Sequence, residues 1–319
     1  MKTKRMISIV SSVIILTAVV CCAAQDKIDL KLRLKAGESH EMKMTQTQDM
    51  GQTMNGQEIK VKQTQEMVLG MDCLSVDANG NMDIVMTYKS MKMAIDSPMG
   101  HMEFDSANPK PSDPNKPQEQ MMSALVLAMA GCKFQMMVKP TGETYNVRGI
   151  ADMMKKVKEK LPTEQMQGAE KFIDKMFDEK QMKELTGNMM EAFPAGPVAV
   201  GDTWYDTKSI NFMMPIDIDT TYMLKSRKDG IAYIDAVSKM DMGDSSKPLE
   251  IDPNSKMTMQ LSGTINASSE VDEKTGLTRK SNVTMNFSGV MRIEAGPQMP
   301  EGMTMPMTIK GDAVVELIK

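Results

Sequence analysis

From residue 28 the chain alternates. Ile28, Leu30, Leu32 and Leu34 are separated by Asp29, Lys31 and Arg33, the period-two pattern of a strand with one apolar face. Met42 and Met44 continue it between Glu41 and Lys43. Ile59, Val61, Met67 and Leu69 follow, then Met82, Ile84, Met86 and Tyr88 after the turn-forming run Asp77-Ala-Asn-Gly-Asn81. Apolar alternation broken by Gly, Asn and Asp predicts a meander of antiparallel strands. The same rhythm returns from Val198 onward, in Ile216/Ile218, Ala232/Ile234/Ala236, Met257/Met259/Leu261 and Val283/Met285/Phe287, with Asn282 and Asn286 on the polar face.

The middle of the chain reads differently. Pro109, Pro111, Pro114 and Pro117 predict a surface loop, which ends at a helix over Gln118–Ala130. From Met121 to Gly131 that helix carries no charge, so it is either a core helix plugging the sheet or a lid over an apolar cavity. The lid reading makes Met121, Met122, Leu125 and Met129, with Met136 and Met137 on the strand Cys132–Val138, the residues that line a ligand. Residues 150–160 and 164–192 predict further helices, the second on the spacing of Phe172, Met176, Leu185 and Met189, and Pro194 and Pro197 close the block.

Three phrases recur in the same order. Leu34-Lys-Ala-Gly-Glu-Ser-His40 matches Val198-Ala-Val-Gly-Asp-Thr-Trp204 in residue class, the Asp77–Ile84 turn parallels Lys228–Asp235, and Pro140-Thr-Gly-Glu143 parallels Lys274-Thr-Gly-Leu277. The order predicts an internal repeat. The fold expected is α+β, with two repeated antiparallel sheets forming an open barrel or sandwich and a helical insert at about 117–193. The N-terminal repeat covers 25–195 and the C-terminal repeat 196–319, packed as one unit.

Residues 1–24 read as an export signal. Lys2, Lys4 and Arg5 precede the uncharged stretch Met6–Val20, and Cys22-Ala-Ala24 supplies small residues for cleavage before Gln25. A lipid anchor on Cys21 or Cys22 is the alternative, although Val20 is larger than such sites want. Without that segment the chain carries 35 basic and 42 acidic residues, a net charge of −7, which argues against nucleic acid or an anionic membrane as partner. Cys73 and Cys132 remain, an even pair that is a disulfide candidate in an oxidising compartment; two free buried thiols are the other possibility.

Composition adds one anomaly, 39 methionines against 7 Phe, 5 Tyr and 1 Trp. Thioethers suit Cu(I), and the densest run, Met299, Met303, Met305 and Met307, is the candidate metal site. Methionine spread equally over helices such as Met153 and Met176 points instead to core filler, and a third reading is a sink for oxidants. The Asp77–Asp83 loop lacks the Gly and Glu of a calcium loop and reads as a hairpin turn. No activated Ser or Cys, clustered His or phosphate loop is present, so catalysis and a bound cofactor are not expected.

The phrase Pro197-Val-Ala-Val-Gly-Asp-Thr-Trp204, placed after Phe193-Pro194, resembles one found in an uncharacterised family of exported bacterial envelope proteins. That resemblance implies an envelope protein and no particular chemistry. In architecture the repeated strands with inserted helices look like the open half-barrels that carry lipids or lipoproteins across the periplasm, and fold by itself does not imply function. The reading is an exported, non-catalytic binding protein for an apolar or amphiphilic ligand. A structural or protein-interaction role without a small ligand is the alternative, and Cu(I) handling the third.

Overall fold

The computed structural model describes residues 26–54, 57–98, 100–113, 115–160, 180, 193–212, 214–243, 248–252, 255–294 and 302–319. The export segment and most of the helix expected over 164–192 lie outside them.

The first half supplies β1 (Ser39–Met54), β2 (Gln57–Val76), β3 (Met82–Ser97) and β4 (Gly100–Asp105). Helix α1 (Pro117–Met129) follows, then β5 (Lys133–Val138), β6 (Thr144–Arg148) and α2 (Ile150–Lys160). The second half is β7 (Thr203–Phe212), β8 (Met214–Lys228), β9 (Ile231–Met242), β10 (Leu249–Asp252), β11 (Ser255–Asp272), β12 (Thr278–Ile293) and β13 (Met303–Leu317). At about 3.4 Å per residue, the 20 residues of β2 span close to 70 Å.

The expectation of two sheets is corrected. Among the described residues all strands join one antiparallel sheet, in the order β6-β5-β3-β2-β1-β13-β12-β11-β9-β8-β7, with β4 on β3 and β10 on β11. The halves fuse because β13 hydrogen-bonds β12 on one side and β1 on the other, from Met42↔Leu317 to Gln52↔Met307. The sheet stays open, since the end strands β6 and β7 do not pair. Among the described residues the class is mostly β rather than clearly α+β: α1 and α2 are short, and strands make up most of the regular structure.

Alternation sorts the two faces. Asn282, Thr284, Asn286 and Ser288 on β12 are exposed, as are Ser262, Thr264, Asn266 and Ser268 on β11 and Thr304, Thr308, Lys310 and Asp312 on β13. Their neighbours in sequence face inward. The outer face is therefore polar and the inner face apolar, the reverse of a barrel whose outer band meets lipid. No helix among the described residues is long and apolar enough to cross a membrane.

Two turns in the two halves make the same bonds. Gly37 and Gly201 sit at φ of +84° and +93°, a region that costs a side-chain-bearing residue energy. Gly37 N–H donates to Cys73 C=O at 2.8 Å while Cys73 N–H donates to Glu38 C=O at 2.9 Å. Gly201 N–H donates to Leu224 C=O at 2.7 Å and Leu224 N–H to Asp202 C=O at 3.0 Å. The Glu38 and Asp202 carboxylates each accept a backbone N–H at 2.9 Å, from Lys35 and Ala199. A bulge follows Cys73 in β2 and Leu224 in β8 alike.

The segment 28–34 has the burial its alternation predicts, with Leu30 0%, Leu32 2% and Leu34 5% exposed. It is not a full strand of the sheet. Ile28 bridges Val198, and beyond it the backbone bonds to turns: Leu32 N–H to Pro140 C=O at 2.9 Å and Arg33 N–H to Thr275 C=O at 2.7 Å. The segment threads between the two halves and fills the space between them. Helix α2 lays Ile150, Met153, Met154 and Val157 on this core at helical spacing, with Lys155 and Lys156 exposed.

Candidate functional site

The inner face lines a partly open cavity of about 500 Å³, within the range of small-molecule sites. Met136 of β5 and Lys208 of β7 come from opposite ends of the strand order and line the same space, so the sheet is rolled around it. Leu32 of the threading segment and Gly276-Leu277 of the β11–β12 turn close one end.

The walls differ in chemistry. The first half contributes Met42, Met44, Met67, Leu69, Met71 and Met86. The second contributes small and hydroxylated side chains. There Thr220 Oγ1 and Ser238 Oγ lie 2.8 Å apart on facing positions of β8 and β9. Ser269 Oγ and Ser281 Oγ lie 2.9 Å apart between β11 and β12. Thr220, Ser269 and Ser281 are among the few buried polar residues of the described chain. Lys208 is the one charged residue lining the cavity among the described residues, and its Nζ lies 3.4 Å from Asp206 Oδ2. Nearby, Trp204 stacks on Tyr222 with ring centroids 5.3 Å apart and planes 7° apart, fixing the entry to β7. Burial, then the neighbouring Cys132 thiol, raises the Tyr88 hydroxyl above its ordinary pKa, so that ring stays neutral.

Of the six residues assigned to a ligand by the lid reading, Met136 lines this cavity and is fully buried. Met137 follows it on the opposite face of β5. Met121, Leu125 and Met129 pack against the core as partly buried residues, whereas Met122 is half-buried; none of the four lines the cavity. Helix α1 rests on α2, β4 and β3, so its uncharged surface is that of a packed helix. The lining methionines of β1 and β2 sit on strands whose alternation was visible in the sequence. What could not be read there was that strands so far apart would curl around one space.

Of the two readings of the cysteines, the structure has the thiols. Both are buried and outside any disulfide: Cys73 Sγ–H donates to Ser75 C=O at 3.7 Å and Cys132 Sγ–H to Ala128 C=O at 3.2 Å. Cys73 faces Ile84 of β3, while Cys132 bonds Tyr88 four residues further along the same strand and on its other side. Two strand spacings and four residues put them roughly 16 Å apart, against the ~7 Å a disulfide can bridge. Burial first, then the charges of Glu38 and Asp83, pushes the Cys73 thiol up, which keeps it unreactive.

The metal candidates share one face of β13. Met303, Met305 and Met307 all point inward, with Met305 and Met307 buried, and Met305 pairs with Met291, which pairs with Met259. Met299 lies outside the described residues. This row continues the apolar inner face toward the far end of the sheet.

A family model described as a family of unknown function, DUF6263, matches residues 79–278. The chain belongs to that family. The match runs from the β2–β3 turn to the start of β12; it takes in Lys208, Thr220, Ser238 and Ser269 of the second wall but leaves out Met42, Met44, Met67, Leu69 and Met71 of the first. No curated protein matches the chain. Among solved structures, lipovitellin, described for its lipid–protein interactions, aligns with 89% of this chain at 9% identity and a TM-score of 0.40; the chain spans 25% of that one. An outer membrane channel from Pseudomonas putida F1 aligns with 91% of the chain and 98% of its own at 9% identity and TM-score 0.20. A DUF1329 family protein from Desulfovibrio piger aligns with 88% and 86% at 11% identity and TM-score 0.12. At such scores the likenesses transfer no function to this member of DUF6263.

Proposed function

We propose that this DUF6263 protein is an exported, non-catalytic envelope protein that holds an apolar or amphiphilic ligand on the inner face of its sheet. The observation that carries the reading is the 500 Å³ cavity walled by methionine and leucine beneath a polar outer face. A structural role alone gives no reason to keep an apolar recess of this size, because filling it with side chains would gain packing contacts. Thioether side chains suit a ligand of variable shape. The lining brings one charged side chain and no acid–base pair among the described residues, which favours binding over turnover. Export rests on the pattern of residues 1–24, and the matched turns of Gly37 and Gly201 support an origin from two copies of one unit.

The test is titration of the purified chain, lacking residues 1–24, with the neutral fluorophore N-phenyl-1-naphthylamine. Saturable fluorescence enhancement is expected, abolished in Ala267→Phe, which fills the cavity from β11. Equal enhancement in that variant, with its fold intact by circular dichroism, would place binding elsewhere and refute the reading.

A further inference from the structure

From the matched turns as far as Leu69 and Thr220, the registers of the two halves correspond. Met42↔Leu69, Leu69↔Tyr88, Cys73↔Ile84 and Ile84↔Met136 in the first half correspond to Asp206↔Thr220, Thr220↔Ser238, Leu224↔Ile234 and Ile234↔Ser269 in the second. The matched turn bonds of Cys73 and Leu224 set this correspondence. Inward positions can therefore be compared one with another. Where the first half has Met42, Met44, Leu69, Tyr88 and Met136, the second has Asp206, Lys208, Thr220, Ser238 and Ser269.

Packing does not explain that difference. Burying a hydroxyl costs energy that a methionine at the same place does not, and the first half shows that the position accepts large apolar side chains. The hydroxyls also keep unused capacity. In each of the pairs Thr220–Ser238 and Ser269–Ser281 one O–H donates to the other oxygen, so one hydrogen per pair remains for an outside acceptor. Lys208 brings the one charged group of the lining among the described residues; Asp206, 3.4 Å from its Nζ, lies beside it on the same strand but is not part of the lining.

Resting on the binding reading above, we infer that the ligand is a long-chain amphiphile with an anionic, acceptor-bearing head, its chain against the methionine wall and its oxyanion against Lys208 and the two hydroxyl pairs. A carboxylate and a phosphate share that chemistry.

The experiment is displacement of N-phenyl-1-naphthylamine by four hexadecyl amphiphiles: hexadecanoate, hexadecyl phosphate, hexadecan-1-ol and hexadecyltrimethylammonium. One or both anions are expected to bind at least about tenfold tighter than the alcohol, and the cation weakest, since charge-assisted hydrogen bonds are the strong ones; the better anion identifies the head. Lys208→Met, which copies the residue at Met44, should erase most of that preference and leave the alcohol's affinity within about twofold. Because Lys208 also neighbours Asp206, a second variant, Thr220→Val with Ser238→Ala, removes one hydroxyl pair without orphaning a partner and should weaken the anion alone. Equal affinity for alcohol and anions, preference for the cation, or variants that weaken all four alike would overturn the inference while the cavity reading stands. Failure of the fluorophore itself to bind would remove both.

Discussion

Gly276 is a position at which one added methyl should do heavy damage to the threading segment. It lies in the β11–β12 turn at φ +72°, and a Cβ there would meet Lys31 O at 2.2 Å, Lys31 C at 2.6 Å and Leu32 Cα at 2.9 Å. Those are backbone atoms of the threading segment, so no side chain can swing aside. Opening the gap to the 3.0 Å below which Cβ contacts are essentially never found would pull apart the adjacent Arg33 N–H to Thr275 C=O bond of 2.7 Å. Gly230 is the natural control, with φ of +76° and nothing within 4 Å of its added Cβ. Both Ala variants pay the left-handed backbone cost of about 1–2 kcal/mol. Gly276→Ala should lose about 1–3 kcal/mol more, from a broken hydrogen bond and from Leu32 backing out of the core. Urea unfolding of both variants, read by far-ultraviolet circular dichroism, measures the difference directly. Because Leu32, Gly276 and Leu277 line the cavity end, fluorophore affinity should fall in Gly276→Ala and hold in Gly230→Ala. Equal destabilisation of the two variants would refute the reasoning, since it would mean that 28–34 does not press on this turn.

Leu30→Ala, at a position with no exposed surface, should destabilise by about 2–5 kcal/mol, whereas Val200→Ala, 39% exposed, should stay within about 0.5 kcal/mol by thermal melting. Cys73 and Cys132 should react with a thiol reagent only after denaturant is added, and the mass of the chain should show no loss of two hydrogens on air oxidation. Burial opposes ionisation of Asp272, yet bonds from Thr275, Arg279 and Lys274 hold its carboxyl below the usual carboxylate range. Its stabilisation is therefore complete above pH ~4 and lost as pH falls through the lower folded value. Asp272→Asn should flatten the acid limb of a stability–pH curve measured below pH 4. Leucine at Met303, Met305 and Met307 together should preserve the fold and cost less than about 1.5 kcal/mol per site, because the swap conserves volume; a large collapse in stability would mean that the sulfurs do more than pack.

The period-two rhythm of residues 28–34, 42–44 and 82–88 determined which side chains face inward, because alternate residues of a strand must point to opposite faces. The glycines of the three recurring phrases marked turns for the same local reason, and Gly37 and Gly201 make matching bonds. Pro117 at the first turn and the loss of alternation after it placed α1 within one residue of its observed ends. None of these local signals carries information about partners far along the chain. Whether the two strand sets formed two sheets or one depended on β13 finding both β12 and β1, which lies some 260 residues away. The segment 28–34 has a strand's pattern yet serves as a threading core element, since alternation reports burial and not which backbone supplies the hydrogen bonds. The cavity was decided by curvature: only a rolled sheet sets the methionines of β1–β3 against the hydroxyls of β8–β12. For the same reason α1, the most apolar stretch of the sequence after residue 25, packs on β3, β4 and α2 while the site itself is built from strands.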